Sequence, residues 1–177
     1  MLTNSLPRQR PLFFAAFLIC VALMAAALTM QYALKLDPCP LCSFQRLFVI
    51  VLGGLFLVAA VHNPGVTGRR VYGAFVVVVG VLGMVVAGRH VWLQNLPKDQ
   101  VPECGPGLEY LLDAFPLKEA LSLVFRGSGE CAEVQWVFLG LTIPGWTLVI
   151  FTAFVISGVL LIATRIAMPP GAVSSDL

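Results

Sequence analysis

Four long stretches without a charged side chain dominate this sequence. Asp, Glu, Lys and Arg are absent from Pro11 to Leu34 (24 residues), Leu47 to Gly68 (22), Val71 to Gly88 (18) and Val134 to Thr164 (31). A helix of about 20 mostly apolar residues crosses the ~30 Å hydrocarbon core of a bilayer. Lipid offers no hydrogen bonds to an open backbone, so helices are the expected spanning form. The sequence predicts an all-α membrane protein, a bundle of four transmembrane helices at about 12–33, 44–62, 71–90 and 144–164, the last starting near Pro144-Gly145. Composition agrees: 59% of residues are hydrophobic and 11% charged, against about 25% charged in soluble domains. A soluble core of 177 residues cannot hide that much apolar side chain. A net charge of +2 without a basic run excludes a nucleic-acid partner. Residues 1–177 read as a single integral membrane domain.

Four crossings return both termini to one side. That side receives Arg8, Arg10, Arg69, Arg70 and Arg165 with Asp176 as its one acid, and the other eight acids fall opposite. Lys and Arg divide almost evenly, but the short tails and the 63–70 turn are densely basic. The positive-inside rule therefore puts the termini in the cytoplasm and exports loops at about 32–43 and 91–143. A secretory signal is the rival for the first span, since Arg8 and Arg10 precede an apolar run ending in Ala25-Ala26-Ala27. The run is long for the apolar region of such a signal. In the second loop, Leu108, Leu111, Leu112 and Phe115, then Leu117, Ala120, Leu121 and Val124, repeat at helical spacing. This predicts a short amphipathic helix in the membrane interface or packed on the bundle. Ala22/Ala26 and Gly83/Ala87 have the small-xxx-small spacing of close helix contacts.

Of five cysteines, Cys39 and Cys42 fall in the first exported loop and Cys104 and Cys131 in the second. Disulfides persist on that side of the membrane. Cys104 and Cys131 suit a structural staple. Cys39-Pro40-Leu41-Cys42 does not, because a cross-link stabilises least when it closes a tiny loop. A Cys-x-x-Cys unit is the usual arrangement for thiol exchange. Zinc fits poorly, since one cysteine pair lies 27 positions apart instead of two to four. Ser43 after Cys42 excludes a c-type haem. Gly127-Ser128-Gly129-Glu130-Cys131-Ala132 resembles a dinucleotide fingerprint only in letters, since no strand precedes it. Cys20, inside span one, reads as a small buried hydrophobe.

Redox cysteines need an electron acceptor. A structural disulfide sits below about −300 mV and a strong dithiol oxidant near −120 mV, so reoxidising the second from the first is uphill by ~180 mV. No flavin, nicotinamide or haem motif is present, which leaves a quinone dissolved in the bilayer. Arg46 stands four residues after Cys42 at the mouth of span two. In a helix that starts by Cys42 the two share a face. A guanidinium there can stabilise a Cys42 thiolate and donate to a developing quinone oxyanion; the plain alternative is an interface arginine. His90, at the outer end of span three, is a candidate proton relay or an interface histidine. Trp92, Trp136 and Trp146 suit an aromatic belt.

Together these features resemble the disulfide-bond formation protein B (DsbB) family over nearly the whole chain. Pro38-Cys39-Pro40-Leu41-Cys42-Ser43-Phe44-Gln45-Arg46 is similar to the family's Pro-Cys-x-Leu-Cys-x-x-x-Arg. The run from Cys131-Ala132-Glu133 to Leu139-Gly140-Leu141 is similar to its segment around the fourth cysteine. The resemblance implies a bacterial inner-membrane oxidase that reoxidises a periplasmic DsbA-like dithiol protein and passes two electrons to ubiquinone or menaquinone. It implies attack on a Cys104–Cys131 disulfide, exchange of Cys131 with Cys39, and release of Cys42 beside the quinone. Arg46 and His90 match quinone-linked positions, and Trp136 matches a tryptophan near the site. A paralogue dedicated to one client, and a disulfide-stapled scaffold without redox turnover, stand as alternatives.

Overall fold

The computed structural model describes residues 9–36, 38–97, 99–101 and 129–163, with Pro116, Lys118, Ser122 and Gly127 as isolated positions. Its elements are α1 (Gln9–Tyr32), α2 (Pro40–His62), α3 (Val66–Gln94), a single turn α4 (Gly129–Ala132), strands β1 (Val137–Phe138) and β2 (Leu141–Thr142), and α5 (Ile143–Ala163). The four long helices are each long and apolar enough to cross a bilayer. The shortest, α5, has 21 residues, or about 32 Å at the helical rise. Their outer faces carry exposed Ile50, Val58, Phe75, Val78, Val85, Ile156 and Leu160. An apolar belt of this extent suits lipid and not water. The chain is a multi-pass, four-helix membrane bundle, as its charge pattern predicts.

Packing runs in sequence, α1 on α2, α2 on α3, and α3 on α5. A Cβ at Gly73 would stand 2.9 Å from the Gly158 carbonyl, and one at Gly83 would enter the Phe151 ring. Glycine at these points lets two backbones approach, which is how helices associate where lipid removes the hydrophobic drive. The Gly83/Ala87 pair lies buried in this contact. The Ala22/Ala26 pair does not form a helix contact: both residues are exposed, and α1 instead sets Phe17 and Cys20 against Gly53 of α2. Cys20 is buried in the main core with Phe13, Leu52, Phe56, Val76 and Phe151.

Two spans are longer than their charge-free gaps. α2 starts at Pro40, four residues before the expected 44, with Cys39 extended at the N-cap. Proline suits the first helical turn because the N–H it lacks would have no partner there. α3 runs from Val66 to Gln94 instead of 71–90, with Arg69, Arg70, Arg89 and His90 inside it. Charge marks where a helix leaves hydrocarbon, not where it ends. The turn between α2 and α3 shrinks to residues 63–65, where Asn63 takes the left-handed conformation and its N–H bonds back to the Ala59 carbonyl at 2.9 Å. Among the described residues, the hairpin is the one departure from an all-helical chain. Val137 pairs with Thr142 and Phe138 with Leu141, and Leu139 and Gly140 turn the chain with positive φ at both positions. Cys104 and, apart from Pro116, Lys118 and Ser122, the expected interfacial helix over 108–124 lie outside the described residues.

Candidate functional site

The N-terminal turn of α2 carries both residues of the Cys-x-x-Cys unit, and α3 delivers His90 between them. Cys39 Sγ lies 3.7 Å from His90 Nε2, and Cys42 Sγ lies 3.9 Å from His90 Nδ1. One imidazole thus straddles the pair, each sulfur facing a different ring nitrogen. His90 is only 2% exposed. It is packed inside the protein beside both sulfurs.

The two sulfurs look out on different surroundings. Cys39 packs with Leu41, Val86, Leu93 and the fully buried Cys131 in one apolar cluster. Cys131 reaches it through α4, which follows Gly127. That glycine has φ +82°, and a Cβ on it would collide with Leu93 of α3. The Gly-x-Gly letters of 127–129 therefore serve a turn and a close approach, not a nucleotide. Cys42 packs against the same cluster and also opens onto an apolar cleft of about 310 Å³ between α1, α2, the hairpin and α5. Met24, Met30, Val49, Trp136, Trp146 and Phe151 line much of it, and Gln45 and Arg46 bring polar atoms to the same wall as Cys42.

Arg46 lines this cleft one helical turn after Cys42, as the early start of α2 requires. It does not hang free as an interface cation. Its guanidinium donates to the Gln31 side-chain oxygen and to the Ala27 carbonyl at 3.2 Å, both on α1. The tryptophans separate. Trp136 stacks on Phe138 with ring centroids 5.5 Å apart and planes 7° from parallel. Trp146 donates its indole N–H to the Phe138 carbonyl at 3.0 Å. Both therefore shape the cleft, whereas Trp92 is exposed beneath the Arg89 guanidinium.

Two polar residues of the site escape the sequence reading. Gln45, 3% exposed, lies 3.2 Å from His90 Nδ1 through its amide nitrogen. Its amide oxygen accepts from the Thr147 hydroxyl of α5 at 2.7 Å. The spacing Cys42, Gln45, Arg46, Val49 on one helical face was the available signal. The sequence expects no metal, yet Cys39, Cys42 and His90 bring three donor atoms within 4.8 Å of one another. A soft divalent ion could take such a set, although only one ring nitrogen could serve it.

A paired thiol unit, a second buried cysteine beside it and an apolar cleft behind it sit at one end of a membrane bundle. The family model for Disulfide bond formation protein DsbB matches residues 9–161 of this chain. The chain belongs to the DsbB family. It is 59% identical to Disulfide bond formation protein B of Nitrosococcus oceani over 142 residues, 80% of this chain and 84% of that one. The protein of the same description from Saccharophagus degradans is 54% identical over 155 residues, 88% of this chain and 93% of that one. The Chromobacterium violaceum relative is 47% identical over 162 residues, 92% of this chain and 96% of that one. DsbB membership makes this a disulfide-bond formation protein with a thiol-oxidising role.

Proposed function

We propose that the chain is a bacterial inner-membrane oxidase that reoxidises a DsbA-like periplasmic dithiol protein and delivers the electrons to a membrane quinone. The observation that carries this reading is the double exposure of Cys42: it shares the Cys131 cluster and His90 with Cys39, and of the two sulfurs it is the one that also lines the apolar cleft. A cleft of this volume, apolar with a few polar groups at one end, suits a lipid-soluble ring compound. Gln45, Arg46, Trp136 and Trp146 are the residues that would hold it. When bound there, a quinone accepts the two electrons and two protons that a dithiol loses on becoming a disulfide.

The protein's own steps are thiol–disulfide exchanges. A thiolate of the client attacks the Cys104–Cys131 disulfide at Cys104, and Cys131 leaves with the electron pair. Cys131 then attacks Cys39 of a Cys39–Cys42 disulfide. The Cys131–Cys39 bond forms, the Cys39–Cys42 bond breaks, and Cys42 leaves as a thiolate facing the cleft. Arg46, anchored on α1 through Gln31 and Ala27, has further N–H donors for negative charge developing there. The basic tails lie in the cytoplasm on this reading, and the cysteines face the periplasm.

The cleft is tested by tryptophan fluorescence. Titration of a short-chain ubiquinone or menaquinone analogue into detergent-solubilised protein should quench the Trp136 and Trp146 emission saturably, and Trp136→Phe should remove most of the quenching. Quenching that is linear and unchanged in Trp136→Phe means the quinone binds elsewhere.

A further inference from the structure

His90 lies between the two sulfurs, and its protonation pattern decides what it can offer each of them. The imidazole has two nitrogens and, when neutral, one proton. Its two faces are not alike: Nε2 meets Cys39, and Nδ1 meets Cys42 and the Gln45 amide nitrogen. Whichever nitrogen bears the proton decides which sulfur receives a hydrogen bond.

We infer that Gln45 is a positioning residue that fixes His90 in the tautomer protonated on Nε2, with that N–H aimed at the Cys39 sulfur. The hydrogen-bond chain starts on α5. The Thr147 hydroxyl has one proton and two acceptors in reach, the Gln45 amide oxygen at 2.7 Å and the Pro144 carbonyl at 2.9 Å. The Pro144 carbonyl lies in the first turn of α5 and is the i−4 acceptor for the Leu148 N–H. The structure turns the Gln45 amide oxygen toward this hydroxyl and the amide nitrogen toward His90, and in that orientation the buried oxygen needs the hydroxyl as its donor. The hydroxyl therefore donates to Gln45. That orients the amide, so its NH₂ group faces His90 Nδ1 at 3.2 Å. An N–H donor requires a lone pair on Nδ1, which sends the imidazole proton to Nε2, 3.7 Å from Cys39 Sγ. α5, α2 and α3 each contribute one residue to this chain.

The consequence for the reaction rests on the Proposed function. An N–H aimed at Cys39 stabilises negative charge on that sulfur. Cys39 carries such charge when the Cys104 thiolate, freed as the client's second thiol closes the client disulfide, attacks Cys131 and re-forms Cys104–Cys131; the Cys39 sulfur then bonds to Cys42 as the two electrons of that pair pass to the quinone that would occupy the cleft. The same hydrogen bond aimed at Cys42 would instead favour charge on the sulfur that must give up its electrons.

The chain has two histidines, and His62 lies at the opposite end of α2, bonded to Tyr72 at 3.0 Å. Nitrogen-15 NMR of histidine-labelled protein in detergent, with His62→Gln to assign the signals, therefore reads the His90 tautomer directly. A neutral His90 protonated on Nε2 alone is expected in the wild type. Thr147→Val frees the amide to turn over and should give a mixture of tautomers. Gln45→Glu presents an acceptor to Nδ1 and should move the proton there. It should also slow dithiol-to-quinone turnover about tenfold and shift its pH profile. A wild-type proton on Nδ1, or an unaltered tautomer in both variants, overturns the proposal. Because the spectrum involves no quinone, it stands or falls separately from the electron-acceptor reading.

Discussion

At the scale of single residues, the site depends on Cys39 and Cys42 doing different things although they are three positions apart. Both pack with the apolar cluster that contains Cys131, but one turn of helix turns Cys42 alone of the two toward the open cleft as well. Arg46 belongs to the cleft side. Arg46→Ala should leave exchange with a DsbA-like partner intact and raise the apparent KM for quinone about tenfold, the worth of one hydrogen bond to a charged group. Quinone titrations in steady-state assays check this, and unchanged quinone kinetics would remove Arg46 from the site. The closeness of Cys39, Cys42 and Arg46 is legible in the sequence because motif and helical spacing are local information, whereas His90 is legible only as a residue at the outer end of the third span. The partnership of Gln45 with Thr147 is not legible, since 102 positions separate them and neither residue type signals chemistry alone. Only the docking of α5 brings them together.

At the scale of elements, α3 is the member on which the site depends most. It carries His90, packs on α5 through glycines and receives the α4 segment against Leu93. Gly83→Leu would force a side chain into the Phe151 ring. Overpacking of this kind costs about 1–3 kcal/mol, so the variant should unfold at a lower temperature in detergent. Because the contact also sets the spacing of His90 and Thr147, activity should fall even where the protein remains folded. A melting temperature and turnover equal to wild type would contradict this account of the α3–α5 contact. The existence of the four spans is legible from charge alone, since lipid tolerates almost no exceptions to that rule. Their ends are not, because a helix continues past the hydrocarbon when Pro40 starts it early or when Arg89 and His90 find partners inside the protein. The hairpin is likewise hidden: its two strands have two residues each, too short for alternation to register.

At the scale of the whole molecule, function requires the thiol end of the bundle and its basic end to face opposite compartments. Leu139, 77% exposed at the hairpin tip, and exposed Val66 at the start of α3 mark those ends. In a background with the native cysteines replaced, a membrane-impermeant maleimide added to spheroplasts should label Leu139→Cys and spare Val66→Cys until the membrane is broken. The reverse pattern would invert the topology and separate the cysteines from any periplasmic client.

The central claim is a path for two electrons from a client dithiol through Cys42 to a quinone. It is tested most directly by mixing the purified protein in detergent with a reduced DsbA-like protein and a soluble quinone, and following quinone absorbance in the ultraviolet. Steady reduction that is abolished in Cys42→Ser is the predicted result. No reduction by the wild-type protein, or reduction that persists in Cys42→Ser, would contradict it.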